Sequence, residues 1–160
     1  HCHKLAVDNG WWDENRNDET LLMLIISEIG EAIEADRKGK WCNLTKNFDS
    51  VQKFEKKKFE EKVKDTVEDE LADTFIRMCD FIGSKEIVLN SPFLLEPDVC
   101  SYNLSIFCLE LINQVINKDY NRFFGLLEWY CLNKDIDLQA HVEIKLQYNQ
   151  MRGKKHGKEY

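Results

Sequence analysis

Proline is almost missing from this chain. Of 160 residues only Pro92 and Pro97 are proline, and both fall in NSPFLLEPD, which is therefore the clearest break in the sequence. Runs of alternating apolar and polar residues bounded by turn residues, which strands need, are also missing. No apolar run approaches the length of a membrane span, and no signal peptide is visible. Positive charge is in deficit. Lys and Arg number 22 against 29 Asp and Glu, a net charge of −7, which argues against general binding to a nucleic-acid polymer. A small phosphate ligand stays open, because it needs only a local basic cluster or a metal. The six cysteines include no C-x-x-C pair and no zinc-like spacing. Cys79, Cys108 and Cys131 lie in apolar helical surroundings and read as small buried hydrophobes, so reduced thiols and a cytoplasmic location are expected. The opening HCHK lacks a starting Met and reads as a truncation or the remnant of a tag; its His-x-His is taken as incidental.

What the chain does have is helix. At 43% hydrophobic it holds enough apolar residues for one core, which suits a single domain over 1–160. The first strong helix follows the polar DENRND, with Asn17 or Asp18 as N-cap and Glu19 in the first turn. It stops near Gly39, just after Arg37 and Lys38. A second is expected from Phe59 to Ile82, and three more over roughly 101–117, 120–133 and 136–152. The expected architecture is an all-α helical bundle of five to six helices. Residues 43–62, lysine-rich and of mixed charge, read as a solvated connection with some helix at its end.

The stretch LLMLIISEIGEAIEADRKGK sets Glu28 and Glu31 among apolar neighbours. At about 100° per residue, with Glu28 at zero, Glu31 falls near −60°, Leu24 near −40° and Ile25 near +60°. VEDELADTFIRMCDF repeats the arrangement. With Glu70 at zero, Asp73 falls at about −60° and Arg77 at about −20°, while Val63 and Phe81 both lie at about +20°. Two helices thus carry an acid pair at i, i+3 on the face that should pack inward. Unpaired buried carboxylates are costly, so something must neutralise them. A hard divalent cation such as Mg²⁺ suits converging carboxylate oxygens and completes its shell with water and substrate phosphates. The alternative is a bundle whose acids pair with Arg77 or with lysines. Di-iron chemistry is disfavoured, since neither helix has a Glu-x-x-His. Glu34, Asp36, Glu68 and Asp69 are read as charges on solvated faces.

These residues resemble a known family. Glu28-Ile-Gly-Glu31-Ala followed by Glu70-Leu-Ala-Asp73 is similar to the E-x-x-E … E-x-x-D signature of the all-α nucleoside triphosphate pyrophosphohydrolases, the MazG-like group. The resemblance extends to Gly10-Trp11-Trp12-Asp13, to Ser27 through Ala32 with Ala35, Asp36, Arg37 and Lys38, and to Asp73 through Asp80. It ends with Lys145 to Arg152 and His156-Gly157-Lys158. One departure is that the gap between Glu31 and Glu70 is longer than in the most compact members, so the lysine-rich stretch reads as an insertion. The resemblance implies hydrolysis of a (d)NTP to the monophosphate and pyrophosphate, in the clearing of nucleotide pools. Mg²⁺, with Mn²⁺ as a substitute, would be held by Glu28, Glu31, Glu70 and Asp73 as the catalytic acids.

The C-terminal segment concentrates positive charge in Arg152, Lys154, Lys155 and Lys158. A frayed, solubilising end is the plain reading. The resemblance implies instead that Asn149, Arg152, Lys155 and Lys158 approach the nucleotide phosphates, within the chain or across a subunit boundary. Trp11 and Trp12 suit either a base-stacking role, which makes Trp12 a candidate substrate contact, or core packing. The helices after Pro97 are apolar most of the way round, so a homodimer or a tetramer of dimers is expected. A different class remains open beside the enzyme: a non-catalytic helical interaction module whose inward acids meet cations.

Overall fold

The computed structural model describes residues 1–42, 44, 55–90 and 103–153. Among these the secondary structure is entirely helical: α1 (Cys2–Asp8), α2 (Asp18–Arg37), α3 (Lys56–Lys62), α4 (Val67–Ser84), α5 (Leu104–Asn117), α6 (Tyr120–Asn133) and α7 (Leu138–Gln150). No helix among them is long and apolar enough to cross a membrane.

The ends of α2 follow from local chemistry. Asn17 caps its start, with the side-chain oxygen accepting from the Thr20 N–H at 2.8 Å. At the other end Gly39 takes φ 65°. The Lys40 N–H then reaches back to the Ala35 carbonyl and the Gly39 N–H to that of Asp36. This is the Schellman arrangement, which needs a residue without a Cβ penalty at that position. The expected stop near Gly39 is what the chain does.

One expected helix is two. The Phe59–Ile82 run breaks between Lys62 and Val67, where Asp65 takes φ 60° and Thr66 caps α4. Thr66 Oγ1 accepts from the Asp69 N–H at 3.4 Å, while Asp69 Oδ2 accepts from the Asp65 N–H at 3.0 Å. That reciprocal pairing resembles a capping box, a start signal stronger than the apolar pattern running through it. The 43–62 stretch is also not solvated throughout. Leu44 and Phe59 are buried and join Cys42, Val63, Ile144 and Tyr148 in a second cluster, where Phe59 stacks on Tyr148 at 4.5 Å. Residues 43 and 45–54 lie outside the described residues.

The central pair is α2 with α4, and it runs antiparallel. Lys85 just past α4 pairs with Asp18 at the start of α2, and the Val67 N–H at the start of α4 bonds the Lys40 carbonyl just past α2. Ile25, Ile29, Ala32, Leu71, Met78 and Phe81 close the interface. Burying each large side chain contributes roughly 1.5–3 kcal/mol before entropy is counted. On the outer sides, α5 packs on α2 and α6 on α5, with Phe107 stacked on Tyr130 at 3.9 Å. The helices α1 and α7 flank α4. The short α1 has no counterpart among the helices expected from the sequence. It docks through Asp80, which accepts from the Trp12 indole at 2.9 Å and meets the His3 ring at 2.7 Å. Cys108 and Cys131 are buried as expected, but Cys79 is half-buried against Cys2.

Candidate active site

The acids that the helical spacing singled out meet where α2 crosses α4. Glu28, Glu70 and Asp73 each offer a carboxylate oxygen, and these oxygens lie within 4.8 Å of one another. Glu28 and Glu70 are buried, at 3% and 4% exposed, and Asp73 is half-buried. Glu31, one turn on from Glu28, is exposed and stands at the rim, outside that set.

Two cations enter the cluster. Arg77, one turn past Asp73, donates from Nε to Glu28. Lys145, from α7, sits almost fully buried between Asp69 at 2.7 Å and Asp73 at 2.8 Å. Among the described residues Arg77 thus pairs with Glu28, while Asp69 and Asp73 share Lys145. Glu70 is the acid without an ion pair among the described residues, and burial away from water pushes its carboxyl up to about 9. Neighbouring Asp69, Asp73 and Glu28 add to that rise, against an opposing pull from Lys145. Burial also raises Glu28, although Arg77 opposes it. Asp69 is carried to about 6 by burial, held down by Lys145. Burial alone would lower Lys145, but Asp73 and Asp69 hold it above the ordinary lysine range.

The acids form part of the wall of a cavity of about 310 Å³. Lys64, Lys145 and Arg152 line it together with the carboxylates. Leu5, Ala6, Leu21 and Leu24 line it as well, with Trp11, Arg16 and the carboxylate of Asp80. Among the expected substrate contacts, Asn149 and Arg152 line this cavity of their own chain. The Asn149 side-chain oxygen is buried without a partner, and the Arg152 guanidinium lies 5.6 Å from the Tyr148 ring. Lys155 and Lys158 lie outside the described residues. Trp12 is turned away, bonded to Asp80 and edge-on to His3; its neighbour Trp11 faces the cavity.

Glu34 and Asp36 are exposed, as the sequence indicated, with Glu34 paired to Arg37 and Lys38. Glu68 and Asp69 are not on a solvated face, and that expectation is corrected. Glu68 is buried, and its carboxylate accepts the Cys42 backbone N–H at 2.8 Å, fixing the chain that leaves α2. Asp69, 1% exposed, anchors Lys145. The helix wheel misses both because the first six residues of α4, Val67 to Ala72, are all buried, leaving no solvated side to assign. The Thr66-x-x-Asp69 capping pattern is the available signal for Asp69. For Lys145 helical spacing offers none, since its partners Asp69 and Asp73 lie on a helix far away in sequence; its only mark is that the last block of the resemblance begins there.

No protein-family model matches the chain, and neither does any curated protein or solved structure compared with it.

Proposed function

We propose that this protein is a divalent-cation-dependent nucleoside triphosphate pyrophosphohydrolase of the all-α, MazG-like kind, converting a (d)NTP and water to the monophosphate and pyrophosphate. The observation that carries the reading is the convergence of Glu28, Glu70 and Asp73, two of them buried, with no cation paired to Glu70 among the described residues. The donor set fits Mg²⁺: all oxygen, carboxylate-rich and on the wall of a cavity of about 310 Å³ that leaves room for water and phosphate as further ligands. Glu28, Glu70 and Asp73 would hold the ion, with Glu31 joining from the rim. When bound, the ion supplies Lewis-acid polarisation of a phosphoryl oxygen and a more acidic water.

The chain's own groups account for the rest. Arg152 on the cavity wall would offset phosphate charge, while Lys145 stays on Asp69 and Asp73 and Arg77 holds the Glu28 carboxylate in place. Glu31, exposed and one helical turn from Glu28, would take a proton from an attacking water. A cytoplasmic role in clearing nucleotide pools belongs to the same proposal, as does assembly into a dimer or a tetramer.

A second reading has a specific observation behind it. Arg77 on Glu28 and Lys145 on Asp73 are the pairings that a non-catalytic interaction module would use. Glu70 weighs against it, because it is a buried acid with no ion pair among the described residues, which a purely structural bundle does not need. A panel of common and modified (d)NTPs with Mg²⁺ decides between the two. Pyrophosphate together with a nucleoside monophosphate is expected from at least one. Orthophosphate alone, or no product from any, would sink the reaction class.

A further inference from the structure

Arg16 sits on the connection between α1 and α2, and its Nε and Nη2 atoms are buried with no hydrogen-bond partner. Its guanidinium lies 5.7 Å from the centre of the Trp11 ring, and both residues line the cavity. A guanidinium cannot shed its charge, and a buried N–H donor without an acceptor is uncommon in folded proteins. Two such donors on one rigid fork therefore call for two acceptors side by side.

The position says which part of a nucleotide would supply them. Leu24 and Leu21 lie one and two turns before Glu28 on α2, about 6 and 10 Å toward the helix start. Arg16 precedes that start. It thus stands beyond both leucines, away from Glu28 and from the Lys145 ion pairs, in a cavity that Asp80 also lines. There the fork meets an aromatic face and aliphatic side chains, which suit a flat ring better than a triphosphate.

Building on the nucleotide reading above, we propose that Arg16 selects the base, accepting only one that presents two adjacent hydrogen-bond acceptors. Cytosine does so through O2 and N3, and guanine through O6 and N7, the edge that arginine forks take in DNA. Uracil and thymine interpose the N3–H donor between their carbonyls. Adenine sets its amino donor beside N1 and N7, and its N3 has no second acceptor next to it. Trp11 holds the guanidinium plane and does not itself read the base.

The test is calorimetric binding of CMP, GMP, UMP and AMP to the full chain without added metal, alongside pyrophosphate release from the four corresponding triphosphates. CMP or GMP should bind about 10- to 100-fold more tightly than UMP and AMP. Whichever of the two leads identifies the edge being read. R16Q and R16K, checked for an unchanged thermal melt, should bring all four bases to similar affinity, because lysine keeps the charge and loses the fork. Equal weakening of all four in R16Q would make Arg16 a phosphate ligand and overturn the proposal, as would preference retained in R16K. Pyrophosphate release with no base preference removes this inference and leaves the pyrophosphohydrolase standing. An Arg16-dependent preference among monophosphates, with no turnover of any triphosphate, keeps the inference and removes the reaction. No binding and no turnover removes both.

Discussion

Glu70 is the residue on which the charge balance of the site turns. Its folded carboxyl lies near 9, raised first by burial, against an ordinary value of 4.5. The folded chain keeps a proton that the unfolded chain gives up. Its contribution to stability is therefore complete below pH 4.5 and lost as pH climbs through about 9. Without divalent cation, stability should fall between pH 5 and pH 9. Glu70→Gln should flatten that fall, gain ~1–3 kcal/mol at the alkaline end and abolish turnover. Urea titrations in chelator at pH 5, 7 and 9 check this, and parallel slopes for the two proteins would refute it. Mg²⁺ should restore the parent preferentially at high pH, since it binds the ionised site. Lys145 makes the opposite case. Lys145→Met leaves Asp69 buried without its cation and should lose about 3–5 kcal/mol, most of it at neutral pH and above, where Asp69 would ionise. Equilibrium unfolding measures that, and a neutral result would mean that Asp69 takes up a proton at no cost. At this scale the sequence is legible in part. Glu28, Glu70 and Asp73 can be found because helical spacing marks acids on an apolar stripe. Glu31 cannot be placed at the rim, nor Asp69 in the interior, because a wheel counts one partner and α4 has several. Trp12 and Trp11 are indistinguishable until the turn before α2 fixes which of them faces the cavity.

Among the helices, what can be read follows the strength of the local signal. Ends marked by chemistry are legible: Asn17, Gly39 and the bounds of α6 lie where cap and turn residues put them. The break before Thr66 is hidden because apolar residues continue through it. The short α1 is silent because so few residues carry too little periodicity, and none of them is fully buried. Yet α1 supplies Cys2, Leu5 and Ala6 to the cavity, so its docking bears on binding. Gly83 governs that docking: a Cβ there would meet the His3 Cβ at 2.8 Å. In α2, a Cβ at Gly30 would meet nothing within 4 Å. Both sites are helical and exposed, so propensity alone predicts that alanine stabilises each by up to ~1 kcal/mol. Gly30→Ala should therefore raise the melting temperature. Gly83→Ala should lower it and weaken nucleotide binding, because α1 has to move away from α4. Thermal melts of the two variants side by side decide the matter; a gain at both positions would mean that α1 contributes little to the fold.

For the whole molecule, the open question is the surface that one chain leaves uncovered. The sequence indicates that α5 is apolar nearly all round, and its inner side is accounted for by Phe107, Leu111 and Val115. On the other side Ile106, Leu109 and Ile116 share one stripe at helical spacing, exposed by 44%, 67% and 67%. Asn113 continues the stripe, which carries no formal charge along its length. A chain with net charge −7 repels its own copies in general, so association calls for a patch where that repulsion is locally missing. Such a stripe is self-complementary about a two-fold axis, the commonest closure for identical chains. Light scattering at micromolar concentration should therefore give twice or four times 18.9 kDa. Leu109→Lys should return the monomer, with helical content unchanged, because two like charges would face each other across the axis. Since Arg152 already reaches the cavity of its own chain, the monomeric variant should keep measurable turnover. A parent mass equal to that of one chain would refute the dimer, and loss of turnover on dissociation would mean that the site draws a residue from its neighbour.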